Sequence, residues 1–222
     1  MQASDVSIRK FKPSDIQRIR EIAWETSFPG ASFHRTRIDK NLLADLLTLY
    51  YTSFEPESLF VSEIDGKVAG YIMGSLNPDR FQKKTALIFF TRITPGLLLG
   101  RYKGIFKTLF FLPPIVLGVM KGERDPEITN EYPAHLHINI GEEYQRAGLG
   151  SRLMSTLLQH MTAEGVKGVH LSTVSVNEKS RPFFEKWGFR LFCRYKSTFW
   201  SSVSGRPAYV EIFVRKISVE RV

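Results

Sequence analysis

From Ala134 to Met161 the chain changes its hydrophobic period once, and the change falls on a cluster of glycines. His135, His137 and Asn139 alternate with Leu136, Ile138 and Ile140, the two-residue period of a strand with one polar edge. Further on, Leu149, Leu153, Leu157, Leu158 and Met161 recur at helical spacing. Gly141-Glu142-Glu143-Tyr144 and Gln145-Arg146-Ala147-Gly148-Leu149-Gly150 join the two without a gap. A strand feeding a glycine-rich turn that opens a helix points to an α/β fold in which helices cover a sheet. It also points to a chemistry. The first N–H groups of a helix lack intrahelical partners and sit at the positive end of its dipole, an arrangement that binds phosphate. Gly148 and Gly150 let the backbone approach a pyrophosphate, and Arg146 adds charge. Two nucleotide signatures are excluded by the letters: Gly150 is followed by Ser151-Arg152 rather than Lys-Ser/Thr, and GxGxxG is absent.

The rest of the chain supplies the sheet. Val6 to Phe11 alternates as a strand, and Pro13-Ser14-Asp15 opens an amphipathic helix with Ile16, Ile19, Ile22 and Ala23, closed by Pro29-Gly30. A second helix is expected from about Ile38 to Tyr50. Leu59-Phe60-Val61 and Val68 to Leu76 read as strands joined at Asp65-Gly66, a hairpin signal. Val169 to Val176, Phe189 to Tyr195 and Tyr209 to Ile217 read as strands, and Ser180 to Trp187 as a short helix. No repeat or linker composition divides the chain, so residues 1–222 are expected to form one domain.

Gln145-Arg-Ala-Gly-Leu-Gly150, followed by Asn177 and then Phe183-Phe184-Glu185-x-Trp187-Gly188-Phe189, resembles the GNAT superfamily of acyl-CoA-dependent N-acyltransferases. The strand, helix, helix, strand, strand order before it is similar too, so the resemblance covers all but the segment from about Asn77 to Glu131. More narrowly, Tyr132-Pro-Ala-His-Leu-His-Ile138 resembles bacterial relatives of the acetyltransferase-like domain that accompanies O-GlcNAcases. The resemblance implies a GNAT fold: a mixed, mostly antiparallel, splayed sheet flanked by helices, with a helical insertion between the third and fourth strands. It implies acetyl-CoA as co-substrate, lying in the V between the strands 135–140 and 169–176, and no metal. Backbone groups of Ile138 and Ile140 are expected to pair with the pantetheine arm. The N–H groups of Arg146, Ala147, Gly148, Leu149, Gly150 and Ser151, with Gln145 in the same turn, are expected to hold the pyrophosphate, and Asn177 to touch the cofactor from the second strand. The implied reaction is direct transfer of an acetyl group to an amine of a small molecule or peptide. The alternative is an acyl-CoA-binding module without catalysis.

Departures from the family pattern motivate that alternative. Many members carry a tyrosine before the Glu of the second element, where its hydroxyl can protonate the departing thiolate; here Phe184 stands there, to be read as a core or cofactor-packing aromatic. A thiol leaves with a pKa of about 8.5, so the loss need not abolish transfer. If the acceptor arrives as an ammonium a base is needed. His135 and His137, two apart on one strand face, are the candidates, since imidazole titrates near neutrality; the competing reading is a hydrogen-bonded structural pair. No third ligand at a recognisable spacing makes them a metal site. Glu142 and Glu143 read as solvated or helix-dipole partners, His34 and Arg35 as surface residues that could reach the acceptor side, and Cys193 as a small buried residue. His160 and His170 are given no role.

Charge bears on partners. The formal charge is +9, yet from Arg80 to Lys121 there are eight basic residues and no Asp or Glu, which leaves twenty-three basic against twenty-two acidic elsewhere. The excess belongs to one segment, within the insertion 77–131. Leu98, Tyr102, Ile105, Phe106, Leu109, Phe110 and Leu112 fall on one side of a helical wheel, which predicts a basic amphipathic helix ended by Pro113-Pro114. Thr108 to Met120 is too short to span a bilayer, which takes about 20 apolar residues. Because it directly precedes the strand of His135 and His137, the insertion is expected to border the acceptor pocket as a lid or a dimer-forming arm; membrane-surface contact and a packed helical embellishment with snorkelling Lys and Arg are the other readings. Nucleic-acid binding is excluded for want of a reader motif. With Cys193 alone and no apolar core in the first residues, the protein is expected in the cytoplasm.

Overall fold

The computed structural model describes residues 5–28, 38–103, 112–123, 126–128 and 130–217. Seven strands form one sheet in the order β1-β2-β3-β4-β5-β7-β6. They are β1 (Val6–Lys10), β2 (Leu59–Ile64), β3 (Lys67–Ser75), β4 (Ala134–Ile140), β5 (Gly168–Val174), β6 (Arg190–Lys196) and β7 (Tyr209–Lys216). Every neighbouring pair is antiparallel except β4 with β5. The mixed, mostly antiparallel sheet is the one expected, and the insertion lies between the third and fourth strands.

Helices cover both faces. On one, α1 (Ile16–Thr26) and α2 (Lys40–Phe54) bury Ile19, Ile22, Leu42 and Tyr51 against Leu59, Val61, Tyr71 and Met73. On the other, α6 (Leu149–Ala163) buries Leu153, Met154, Leu157 and Met161 against Ile72, Leu136 and Leu171, joined by Phe184 of α7 (Ser180–Lys186). The alternation in β4 is the boundary between these cores. Ala134 and Leu136 point to α6, and His135 and His137 to the α2 side. Gly74 lets α6 come close, because a Cβ there would stand 2.9 Å from the Met161 terminal methyl. The Trp187-Gly188-Phe189 element also has a local cause. Gly188, with φ +74°, ends α7, and the Phe189 N–H returns to the Phe184 carbonyl at 3.1 Å, a left-handed C-cap that favours glycine.

The insertion folds differently from the expected amphipathic helix. It contains α3 (Pro78–Ile88), a π-turn over Phe89–Ile93, α4 (Thr94–Leu98) and α5 (Leu112–Met120). The helix predicted over 98–112 does not form at its start. Gly100 has φ +70°, and the Arg101 N–H bonds back to the Gly96 carbonyl at 2.8 Å, so a glycine cap closes α4 where the wheel begins. The remainder of that pattern, 104–111, lies outside the described residues. Pro113-Pro114 begins a helix rather than ending one, because the first turn needs no N–H donor. One helix went unforeseen, α8 (Thr198–Ser204) between β6 and β7. Its first N–H, on Thr198, donates to Glu123 at 2.8 Å, which ties it to the end of α5. No described helix is long and apolar enough to cross a membrane.

Candidate functional site

The single parallel pair makes a fork. β4 and β5 are in register only at Ala134↔Val169 and His135↔His170. Beyond them β5 stays with β7 and β4 with β3. The Gly141 N–H donates to the Ala69 carbonyl at 2.9 Å, one pair past Gly70↔Ile140. Antiparallel pairs alternate between those that exchange both backbone bonds and those that exchange none. His137 and Asn139 therefore spend their backbone groups on β3, while those of Ile138 and Ile140 point to the opposite edge, into the fork. Gly70 supports this stretch: a Cβ there would stand 2.5 Å from Ile140 Cδ1 and 2.9 Å from the Asn139 carbonyl.

At the open end of the fork lies the glycine turn. Arg146 and Gly148 both have left-handed backbones, φ +71° and +74°, around Ala147. Such alternation turns successive N–H groups toward one concave side. Gly148 is the N-cap of α6 and has no side chain to cap it, so the Leu149 and Gly150 N–H groups are left to an outside acceptor. Among the described residues nothing beyond its chain neighbours comes within 4 Å of a Cβ built on Gly148. Gln145, Arg146, Ala147 and Gly148 are exposed, whereas Leu149 is buried as the first core contact of the helix. The Ser151 N–H differs from those before it in the turn, since it already reaches the Gly148 carbonyl at 3.2 Å. Lys179 was not foreseen here: its Nζ donates to Gln145 Oε1 at 3.2 Å and brings a cation from the far side of the fork to the turn. Only its place one turn after β5 signals this in the sequence.

Asn177 closes the β5 side. Its N–H donates to the Val174 carbonyl at 2.9 Å, and its carbonyl accepts from the Ser180 hydroxyl at 2.7 Å. Its side-chain amide makes no hydrogen bond among the described residues. Phe184 is committed to the core, with Phe189 and Phe213 about it at centroid separations of 5.9 and 6.1 Å. The ring that meets the turn is instead Phe183, 3.4 Å from a Cβ built on Gly150.

On the other face of β4, His135 and His137 share a cavity of about 190 Å³ with α2 and the insertion. Tyr51 and Leu47 of α2 and Phe81 and Ile88 of α3 form its walls. The His135 Nδ1 stands 3.0 Å from the Tyr51 hydroxyl. The Asn139 amide donates to the Tyr71 hydroxyl at 2.8 Å and to His137 Nε2 at 2.9 Å. Burial, with His170 and His137 adding repulsion, pushes the His135 pKa down to about 3, and burial lowers that of His137 to about 4. As bases they are weaker than an unperturbed imidazole. Each has a hydrogen-bond partner on the protein, and burial disfavours the charged ring. Their rings keep some accessible surface along the cavity while packed protein surrounds them.

The remaining candidates are accounted for structurally. Glu142 and Glu143 are exposed, Glu143 pairing with Arg18 at 3.2 Å. His160 meets the Ser58 hydroxyl at 3.0 Å, and His170 the Tyr132 carbonyl at 2.7 Å. Cys193 is half-buried on β6 beside Ile212 and Val214. His34 and Arg35 lie outside the described residues. Among the described residues no group of three His, Cys, Asp or Glu could hold a metal ion.

Known proteins share this arrangement. Residues 115–189, from α5 through β4, the glycine turn, α6, β5 and α7, match the family model of the acetyltransferase (GNAT) family. An uncharacterized N-acetyltransferase of Methanocaldococcus jannaschii is 34% identical over 73 residues, 32% of this chain and 37% of that protein. The match thus spans little more than a third of the relative's length. The crystal structure of SsHAT superposes with a TM-score of 0.69 at 26% identity, covering 96% of this chain and 99% of that one. The structure of yncA from Salmonella typhimurium with its cofactor acetyl-CoA superposes with a TM-score of 0.57 at 16% identity, covering 98% and 96%. The sheet with its fork is therefore a GNAT fold. Over residues 115–189 the chain is similar to the GNAT family, and it carries a GNAT fold with a helical insertion that lines a cavity on β4. The narrower resemblance of Tyr132 to Ile138 gains no support from these relatives.

Proposed function

We propose that the protein is an N-acetyltransferase that moves the acetyl group of acetyl-CoA directly to an amine of a small molecule or peptide while both are bound. The observation that carries this is the junction of fork and turn. The backbone edge of Ile138 and Ile140 is released where β5 departs, and it leads to a helix start with no cap of its own. One feature suits a strip of amides and the other a pyrophosphate. The acetyl-CoA bound to the yncA structure, on the same fold, supports the reading.

In this reading Ile138 and Ile140 bind the pantetheine amides, the N–H groups from Arg146 to Gly150 hold the pyrophosphate, and Asn177 and Lys179 close over it. Acetyl-CoA, when bound, supplies an acetyl group on a thiol of pKa about 8.5. The amine nitrogen forms the new C–N bond as the C–S bond breaks, CoA departs as its thiolate, and the proton lost from nitrogen passes to that thiolate or to solvent, giving the amide and free CoA thiol. The chain contributes by desolvation. The surroundings that hold His135 and His137 neutral lower the pKa of any amine seated beside them, which favours the nucleophilic free amine. No proton transfer is assigned to either histidine, and Phe184 offers no hydroxyl to the thiolate.

Calorimetry with acetyl-CoA, followed by a free-thiol assay over a broad amine panel, tests the proposal. Saturable binding and amine-dependent thiol release are expected. An absence of binding overturns the reading, and binding without release from any amine makes the protein an acyl-CoA-binding module instead.

A further inference from the structure

The cavity beside His135 and His137 is closed by residues that the fork does not use. Leu47 and Tyr51 come from α2, and Phe81, Ile88 and Thr85 from the first helix of the insertion. Its volume, about 190 Å³, lies below the ~300–1,000 Å³ typical of sites for larger ligands, so it takes one compact group. Among the described residues its one carboxylate is already engaged. Asp45 is buried, paired with Arg20, bonded to the Tyr102 hydroxyl at 2.8 Å and 3.9 Å from Arg101. Each imidazole has one nitrogen engaged on the protein, His135 Nδ1 with Tyr51 and His137 Nε2 with Asn139, which leaves one nitrogen of each ring at the floor, where the acceptor nitrogen would lie. The walls therefore offer little to a second ammonium, a carboxylate or a ring of hydroxyls, and each buried polar group left unpaired there weakens binding by roughly tenfold or more. The floor lies at the fork itself, since His135 is the last residue of β4 paired with β5 and His137 lies just beyond.

We infer that this cavity selects the acceptor, and that the acceptor is an amine borne on a compact aromatic or aliphatic group which enters between α2 and α3 with its nitrogen toward β4. The inference rests on the N-acetyltransferase reading for the nitrogen's fate, but the cavity's preference is measurable without it. The insertion then has a definite task, because α3 and the π-turn after it supply half of the wall.

The test is ligand-observed NMR on the full chain, with and without CoA, so that no turnover is required. The probes are 2-phenylethylamine and a tripeptide with N-terminal phenylalanine, against glucosamine and spermidine. Thr85→Trp and Leu46→Trp are the variants. Both positions line the cavity and are exposed, so the larger side chains can lie across its mouth without entering the core. The apolar amines are expected to bind at least about tenfold more tightly than the polar ones, and each tryptophan to weaken them by about tenfold. The tripeptide separates a peptide terminus from a free amine as the natural source of the group. Polar probes binding equally well, or apolar probes indifferent to both tryptophans, overturn the inference. If CoA fails to bind while the apolar probes behave as expected, the cavity assignment stands and the N-acetyltransferase reading falls.

Discussion

The Tyr51 hydroxyl stands 3.0 Å from Nδ1 of His135, and burial raises the Tyr51 pKa so far that the phenol keeps its proton. The phenol can donate to a bare Nδ1 or accept from a protonated one, so this contact suits either tautomer, and it is burial that resists a second proton on the ring.

A pH dependence of stability follows. His135 and His137, at about 3 and about 4, lie below the ~6.5 of an unfolded histidine. Below pH ~6.5 the unfolded chain binds more protons than the fold. The stabilisation is therefore complete above that pH and is lost as pH falls toward 4 and then 3. At pH ~4.5 the loss is on the order of 2–3 kcal/mol for each histidine. Thermal melts of wild type and His135→Gln at pH ~7.5 and ~4.5 measure it, since glutamine keeps an acceptor for Tyr51 and does not titrate. The variant should lose less stability on acidification. A decline parallel to wild type would place the titration elsewhere.

Gly148 separates backbone strain from ligand exclusion. With φ +74°, alanine there is expected to cost about 1 kcal/mol of stability. Among the described residues a Cβ meets no atom within 4 Å beyond its chain neighbours, so that cost is conformational. Gly148→Glu carries the same strain and adds a carboxylate where the pyrophosphate is proposed. Calorimetry should show acetyl-CoA affinity reduced modestly in the alanine variant and abolished in the glutamate variant. Equal affinities would remove the pyrophosphate from this turn.

How far the sequence was legible depends on the range of the interactions. The glycine turn, both covering helices and the strand order could be read because their signals are local: a period, a cap, a hairpin dipeptide. The fork came only through the family resemblance, since β4 and β5 part for reasons of partnership with β3 and β7 that no local pattern records. The cavity was invisible for a similar reason, as Leu47, Phe81 and His137 meet only once the sheet and the insertion are assembled. The wheel over 98–112 misled because it weighed apolar spacing and passed over Gly100, whose left-handed backbone ends α4 first. Phe184 was placed by analogy with a motif position, whereas its burial by Phe189 and Phe213 is a tertiary outcome.

Arg9 holds the first sheet edge to α1. Its guanidinium bonds to Asp15 at 2.7 and 2.9 Å and to Glu63 at 2.6 and 3.1 Å. Burial alone would raise the Asp15 pKa, but the arginine and the Lys12 N–H overrule it and hold the carboxyl below its usual range. Arg9→Met leaves a buried carboxylate unpaired, at about 3 kcal/mol, the lower end for buried pairs because Arg9 keeps some solvent contact. The expected fall in Tm is about 6–12 °C for a chain of this size. Adding Asp15→Asn should restore part of it, and acetyl-CoA affinity should not change in either variant.

Tyr102 fastens the insertion beside the cavity. Its hydroxyl donates to Asp45 at 2.8 Å, its pKa is pushed up to about 12 by burial and then by that carboxylate, and its ring lies on Gly96, where a Cβ would approach to 2.6 Å. Tyr102→Phe removes one hydrogen bond and keeps the ring, so a loss of about 1–2 kcal/mol is expected. Gly96→Val displaces the ring itself and with it the wall that α4 and the π-turn hold in place. Because the glycine turn and the fork are built from other elements, acetyl-CoA binding should survive both substitutions. The KM for an apolar amine should rise several-fold in Gly96→Val and less in Tyr102→Phe, with kcat little changed in the latter. Steady-state kinetics with 2-phenylethylamine, beside calorimetry with acetyl-CoA, checks this; a parallel loss of acetyl-CoA affinity would mean that the insertion supports the fork rather than the acceptor cavity.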